Sequence, residues 1–210
     1  PSVPLPGINN ANPISGVGKH PTMTFSIQRP DRMDNLKNLQ FVMPEGFGGS
    51  MKAGGVDGFG NPIVCSVDTL NQIAAGTLPA SSCPSQGKVG KVRVKTGAGA
   101  APVTLYGDIY LMERKNYDPA NGGTAPSASN TIDASMLGKN ELTKYTAKLA
   151  VVTPATVGPF QLGAVVNKLY MRLNSSTKFQ LVSETADAGL DQSIMGIPVL
   201  YQDITLKLDG

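Results

Sequence analysis

The chain of 210 residues contains no tryptophan, a single histidine and only 16% charged residues. One histidine argues against a histidine-rich metal cage, a Ser-His-Asp site with a spare histidine, or a haem held by two axial histidines. The charged fraction lies well below the roughly 25% usual for soluble domains, which argues against a disordered acidic or basic tail. We therefore expect a folded protein that is not an enzyme.

Long apolar runs are also missing. No stretch of about 18 apolar residues occurs, so no membrane-spanning helix is expected. The first residues, Pro1–Pro6, have neither the basic start nor the apolar core of a signal peptide. We expect that a leader was either cleaved or left out of this sequence, and both alternatives stay open.

The residues that are abundant favour strands. Glycine (24) and proline (16) are frequent, and 40% of the residues are hydrophobic. Apolar and polar side chains alternate most cleanly over Val103–Met112. Seven further strands are expected at Thr22–Gln28, Leu36–Met43, Val89–Thr96, Thr143–Val152, Val165–Leu173, Lys178–Ser183 and Val199–Leu208. Eight strands predict an all-β fold, an antiparallel β-sandwich of the Ig-like or jelly-roll-like kind, or two fused small sandwiches.

Two segments fall outside this pattern of strands. Residues 1–18 contain four prolines and three glycines without a periodic apolar face, which is typical of an extended arm. The sandwich region is then 19–210, with a subdivision considered near 97–102. The polar insertion Asn116–Leu137 is long for a compact domain, and we expect it to form a variable contact surface.

The net charge of +3 does not indicate a nucleic-acid groove. The densest basic segment alternates Lys91, Arg93 and Lys95 with two valines, which is the pattern of a strand with a solvated basic face. No exposed aromatic residues are interleaved with these charges. We expect no nucleic-acid partner.

The two cysteines, Cys65 and Cys83, indicate the compartment. The segment between them begins like a short helix, with Ser66 as the N-terminal cap, an apolar stripe of Leu70, Ile73 and Ala74, and Gly76 at the end. We expect a disulfide that closes this loop, which would stabilise the fold by about 3 kcal/mol and would indicate an oxidising compartment. The alternative is two buried free thiols, and a zinc site is not expected because paired ligands are absent.

Several tyrosines and prolines are candidates for contacts with a partner. Tyr106 and Tyr110 alternate onto the polar face of one strand, and Tyr170 shares a face with Lys168 and Arg172. The full candidate surface consists of Pro4, Pro6, Tyr106, Tyr110, Tyr117 and Tyr170. The alternative is that the tyrosines cap the sandwich edge with their hydroxyls in water.

No cofactor is expected from the chemistry-bearing residues. Two loops carry the oxygen ligands that calcium accepts, although neither has the spacing of a calcium loop: Glu184, Asp187 and Asp191 in one, Asn116, Asp118 and Asn121 in the other. His20 precedes a proline at the start of a strand and is expected to be structural. Lys148 or Lys168 would suit an isopeptide crosslink if an asparagine and an acid lay beside it.

A composite pattern of short motifs resembles the repeat units of large secreted proteins of high-GC Gram-positive bacteria. The matching segments are Gly18–Pro21, Leu39–Gly46, Cys65, Gln72–Gly76, Cys83–Pro84, Gly87–Gly90, Val152–Ala155, Gly158–Gly163, Val182–Ser183 and Gly196–Val199. The resemblance covers roughly residues 18–210 and implies export, an all-β fold and a structural or surface role, without catalytic residues. This chain lacks that family's tail after the closing strand, so a fragment and a single-unit version are both considered.

Two functional hypotheses follow. The first is a secreted structural subunit that assembles with copies of itself at the cell surface and contacts a neighbour through its N-terminal arm. The second is an adhesin-like module that binds a carbohydrate or a surface protein through residues 116–137. A hydrolase ranks last because the acidic residues are dispersed.

Overall fold

The computed structural model describes residues 22–30, 33–45, 49–50, 52–97, 101–113, 145–157, 159–174, 180–185, 189–190, 192–194 and 197–209. The strands are β1 (Met23–Gln28), β2 (Gln40–Val42), β3 (Lys88–Thr96), β4 (Val103–Leu111), β5 (Tyr145–Val157), β6 (Phe160–Asn174), β7 (Gln180–Thr185), β8 (Ser193–Ile194), β9 (Ile197–Pro198) and β10 (Tyr201–Leu208). The helix α1 is Val67–Ala74, and two 3₁₀ turns follow at Ala80–Ser82 and Ser85–Gly87.

Eight of these strands form one antiparallel sheet in the order β1-β10-β3-β4-β5-β6-β7-β2, and β8 and β9 form a separate ribbon. All eight expected strands are present, and the all-β antiparallel class is confirmed. Two packed sheets are not confirmed, because within the described ranges the eight strands belong to a single curled sheet. Residues 97–102 connect β3 and β4, which are neighbours in it. β2 is much shorter than the expected strand over Leu36–Met43.

The main core lies on the inner face of this sheet because apolar residues alternate along each strand. Its buried members are Val89, Val92 and Val94 in β3, Ile109 and Leu111 in β4, Leu149 and Val151 in β5, Val165, Leu169 and Met171 in β6, Leu181 in β7, and Tyr201, Ile204 and Leu206 in β10, with Met43, Leu190 and Val199 from outside the long strands. The basic residues of β3 face the other way, with Lys91 and Arg93 exposed, as the alternation predicted.

Glycines and bulges bend the sheet. A Cβ atom at Gly107 would clash with the carbonyl oxygen of Val152, and one at Gly90 would clash with that of Lys207. Glycine therefore permits neighbouring strands to approach at points where any side chain would separate them. The register also shifts between Tyr201 and Asp203 in β10, and such bulges increase local twist.

Two side-chain contacts join parts of the sheet that are distant in strand order. The rings of Phe25 in β1 and Phe41 in β2, the two edge strands, have centroids 5.1 Å apart. Asn167 Nδ2 in β6 donates a hydrogen bond of 3.1 Å to the hydroxyl of Tyr201 in β10. We call the line where β1 and β2 face each other the seam. The rings of Phe25 and Phe41 pack across it, and β1 and β2 form no backbone pair with each other.

The helix α1 lies against the outer face of the sheet over β4, β5 and β6. Its buried residues are Val67, Leu70 and Ile73, which pack with Tyr110, Met112, Ala150, Val152, Val166 and both cysteines in a second core. The Cys65–Cys83 disulfide is confirmed and encloses the helix, with Cα atoms 5.1 Å apart. Ser66 caps the helix by accepting from the amide of Thr69 at 3.1 Å, as predicted. Ala74, expected in the buried stripe, is exposed.

The first and last described strands are neighbours. β1 pairs with β10 from Met23 opposite Leu208 to Gln28 opposite Asp203, in a regular antiparallel register. The backbone near residue 22 and the backbone near residue 209 therefore lie at the same end of the sheet.

Candidate interaction surfaces

The seam carries a group of apolar side chains that are only partly covered. Met23 and Phe25 of β1, Phe41 of β2, and Leu36 and Leu39 of the connection between them are half-buried against the main core. The alternation along β1 and β2 places Met23, Phe25 and Phe41 on the inner face. Among the described residues each of these edge strands pairs with a neighbour on one side only, which leaves the side chains partly exposed. At the seam the main core is therefore only partly shielded from solvent along a strand edge.

The orientation of the β1 backbone follows from one hydrogen bond. The amide of Arg29 donates to the carbonyl of Gln202 at 2.8 Å, so the backbone groups of Arg29 point toward β10. Backbone groups alternate in direction along a strand. The amides and carbonyls of Thr24, Ser26 and Gln28 therefore point away from β10, toward the open edge at the seam.

A polar surface covers the outer face of β10, β3 and β4, with Arg93 at its centre. Arg93 Nη2 lies 3.2 Å from Asp203 Oδ1 and donates to the Thr205 hydroxyl, and Gln28 Nε2 donates to the other Asp203 oxygen. Burial by itself raises the pKa of the Asp203 carboxyl, but the hydrogen bonds from Arg93, Gln28 and Thr205 outweigh it and lower the pKa. Tyr106 of β4 lies opposite Arg93 in the register and is 69% exposed.

The predicted tyrosines do not share one surface. Tyr110 lies on the outer face of β4, as the alternation predicted, but it is only 4% exposed because α1 and the disulfide loop cover that end of the strand. The expectation that it is available for contacts with a partner is corrected, and burial raises the pKa of its phenol. Tyr170 is half-buried, with Lys148 Nζ 4.9 Å from its ring centroid. Pro4, Pro6 and Tyr117 lie outside the described residues.

Two lysines considered for a crosslink lie on the outer face. Lys168 Nζ donates to Asn71 Oδ1 of α1 at 3.2 Å, and burial lowers the pKa of this lysine. Lys148 is buried beside Tyr170. An isopeptide bond also needs an acid beside the pair, and the contacts described for Lys168 include none, so the crosslink stays a prediction.

Among the residues described, no group of three or more histidine, cysteine or acidic side chains is arranged to hold a metal ion. Of the calcium candidates only Glu184 is described; its carboxylate lies 3.5 Å from Arg172 Nε and accepts a hydrogen bond from Gln40. The other candidates, Asp187, Asp191, Asn116, Asp118 and Asn121, lie outside the described residues, as does His20.

One exposed aromatic residue was missed by sequence reasoning. Phe59 is 93% exposed at the tip of a turn whose amides at Phe59 and Asn61 donate to the Asp57 carboxylate at 2.9 and 2.8 Å. These bonds, led by those from Asn61, lower the pKa of Asp57. An aspartate followed at four residues by an asparagine, with glycines between, is a turn pattern that a search for exposed aromatics at loop tips would have found.

Comparisons of the chain with protein-family models, with curated proteins and with solved structures give no match. No helix in the described ranges has the length and apolar character needed to cross a membrane. The disulfide is compatible with an oxidising compartment.

Proposed function

We propose that this chain is a non-enzymatic extracellular structural subunit that assembles with copies of itself into a cell-surface fibre or layer, with its N-terminal arm contacting a neighbouring subunit. The observation that carries the proposal is the open sheet. Both of its edges, β1 and β2, have one strand neighbour each among the described residues, and both meet at a half-buried apolar seam. A sheet edge offers a row of backbone donors and acceptors that another chain can use.

The described residues away from the seam suit a rigid subunit. The central strands are covered on the inner face by the main core and on the outer face by a helix held within a disulfide loop. Such a body presents its edges in a fixed geometry. When a strand docks, the entropic cost of ordering therefore falls mainly on the incoming segment and little on the subunit that receives it.

Deleting residues 1–16 tests the proposal. We expect the complete chain to form oligomers whose mass rises with concentration in size-exclusion chromatography with light scattering, and ordered polymers in negative-stain images. The deleted form is expected to remain monomeric. A chain in which residues 2–16 are replaced by a glycine-serine linker of equal length is the control, and it should also fail to assemble. Unchanged assembly of the deleted form would refute the proposal.

A second candidate function is an adhesin-like module that binds a carbohydrate or a surface protein. The observation that favours it is the exposure of Tyr106 and Phe59, since exposed aromatic rings are common in binding sites. Glycan-array and pull-down binding that is lost when residues 116–137 are excised, and weakened by Tyr106→Ala, would support this function instead.

A further inference from the structure

The edge strand β1 lacks charged residues, proline and a bulge, three of the features by which sheet edges are normally protected. Its six residues, Met23–Gln28, contain no charged side chain and no proline, and its pairing with β10 has no bulge. Edge strands usually carry at least one of these features because they prevent pairing with other chains. A neutral and regular edge is therefore suited to receiving another strand.

We propose that β1 receives residues 3–7 of a neighbouring copy as an added antiparallel strand at the seam. This inference rests on the proposed function and names the contact through which the arm would act. β1 is favoured over β2 because it provides six residues for pairing, whereas β2 provides three.

The arm has a sequence that can pair on one side only. Val3, Leu5 and Gly7 retain their amide hydrogens, whereas Pro4 and Pro6 have none. Backbone groups alternate in direction along a strand, so the three amides point to one edge and both prolines to the other. If Val3, Leu5 and Gly7 face β1, the prolines face away from it and prevent a further strand from adding to the new edge.

The same register places the prolines over the seam. Thr24, Ser26 and Gln28, which offer their backbone groups to the open edge, have side chains on the exposed outer face. In an antiparallel pair, residues that exchange hydrogen bonds have side chains on the same face. The rings of Pro4 and Pro6 therefore fall on the inner side, beside the half-buried rings of the two edge phenylalanines.

The chain between the arm strand and β1 is long enough to reach a neighbour. The 15 residue-to-residue steps from Gly7 to Thr22 span at most roughly 50 Å when extended, a distance comparable to the length of the 15-residue strand β6.

The test uses the protein without residues 1–16 as acceptor and a fluorescent peptide of residues 1–16 as ligand, with binding followed by fluorescence anisotropy. We expect saturable binding. Ser26→Pro in the acceptor removes an amide that points to the open edge and not to β10, and is expected to weaken binding at least tenfold. Ser26→Ala keeps the amide and should bind within about twofold of the unchanged acceptor. Matching thermal melts of the two variants establish that the fold is intact.

The peptide carries a matched pair of its own. Leu5→Pro removes an amide expected to face β1, and Leu5→Ala retains it. We expect at least a tenfold loss of affinity for the first peptide and a much smaller loss for the second. Equal affinities of these two peptides would overturn the strand-addition mechanism.

The remaining outcomes separate the two proposals. Two outcomes would show that the site at β1 is wrong while the proposed function stands. In the first, the complete chain assembles through its arm but the peptide does not bind. In the second, Val42→Pro in β2 weakens binding of the peptide and Ser26→Pro does not. If the peptide binds but the complete chain is monomeric at all concentrations, the arm docks on its own subunit, and both the trans contact and the assembly proposal are wrong.

Discussion

The centre of the sheet and its seam differ in how completely they are covered. In β4 and β5, successive residues are buried alternately by the main core and by the helix, so that Ile109, Tyr110 and Leu111 are all buried. At the seam, the inward residues of β1 are half-buried, and Val42 of β2 is 55% exposed. The two regions belong to one sheet but have different numbers of covered faces and paired edges.

This difference distinguishes strands that stabilise the fold from strands that keep backbone groups available for a partner. A strand covered on both faces and paired on both edges has no backbone group to offer and contributes mainly to the free energy of unfolding. A strand paired on one edge contributes less to stability and keeps its outer backbone groups for a partner. Changes at the centre should therefore affect unfolding, and changes at the seam should affect assembly.

The largest expected effect comes from removing the disulfide. Cys65→Ala with Cys83→Ala opens a loop with a sequence separation of 18 that holds the helix against the centre of the sheet. The free energy of unfolding should fall by about 3 kcal/mol, measured by urea denaturation. Val42→Ala at the seam, an exposed position, should change it by less than about 0.5 kcal/mol. Equal losses in the two variants would remove the distinction between centre and seam.

An intermediate effect is expected from the hydroxyl of Tyr201, which links β10 to β6 inside the curl. Tyr201→Phe leaves the Nδ2 group of Asn167 without its partner, while Gln192 still donates to Asn167 Oδ1 at 2.9 Å. The loss of a buried hydrogen bond should cost about 1–3 kcal/mol. Tyr106→Phe, at a residue that is 69% exposed, is the matched control and should be nearly neutral in the same denaturation experiment. A neutral Tyr201→Phe would show that the link does not hold the curl together.

The smallest effect concerns pH and the outer face beside β1. The pKa of Asp203 is lowered in the folded protein, so its contribution to stability is present above the unfolded pKa of about 3.9 and is lost as the pH falls through the lower folded value. Because Arg93 is partly exposed, this contribution should not exceed about 1 kcal/mol.

Denaturation of Asp203→Asn at a series of pH values from 6 to 2 tests this expectation. The variant should lose stability less steeply than the unchanged protein below about pH 4. Asp209→Asn, an exposed carboxyl 3.9 Å from Lys207, is the control and should change the slope less. Identical slopes for Asp203→Asn and the unchanged protein would contradict the assignment of Arg93 and Gln28 as stabilising partners.

The sequence predicted features that are encoded locally. The strands follow from alternation along a few residues, and the helix between the cysteines follows from Ser66, an apolar stripe and Gly76, whose φ of 75° in the structure is the conformation expected of a terminating glycine. The disulfide was predictable because the segment between Cys65 and Cys83 is short and a helix followed by a return of the chain can bring the two sulfur atoms together. These predictions required no knowledge of which strands are neighbours.

Features that depend on distant contacts were not predictable in the same way. The curl of the sheet involves close approaches at Gly90 and Gly107, whose backbone contacts are with β10 and β5, strands that are distant in the sequence. The burial of Tyr110 depends on where the helix docks. The neutrality of Met23–Gln28 is visible in the sequence, but its meaning depends on β1 being an edge, which only the strand order reveals.

The pairing of β1 with β10 has a mechanical consequence. Since Met23 lies opposite Leu208, tension applied to the backbone at residues 22 and 209 would act at the same end of this strand pair. The load would fall on one hydrogen-bonded pair at a time, and β1 would peel from β10 as a zipper opens. A pull on the chain at these two residues should therefore release β1 first, while the disulfide-held centre keeps its fold.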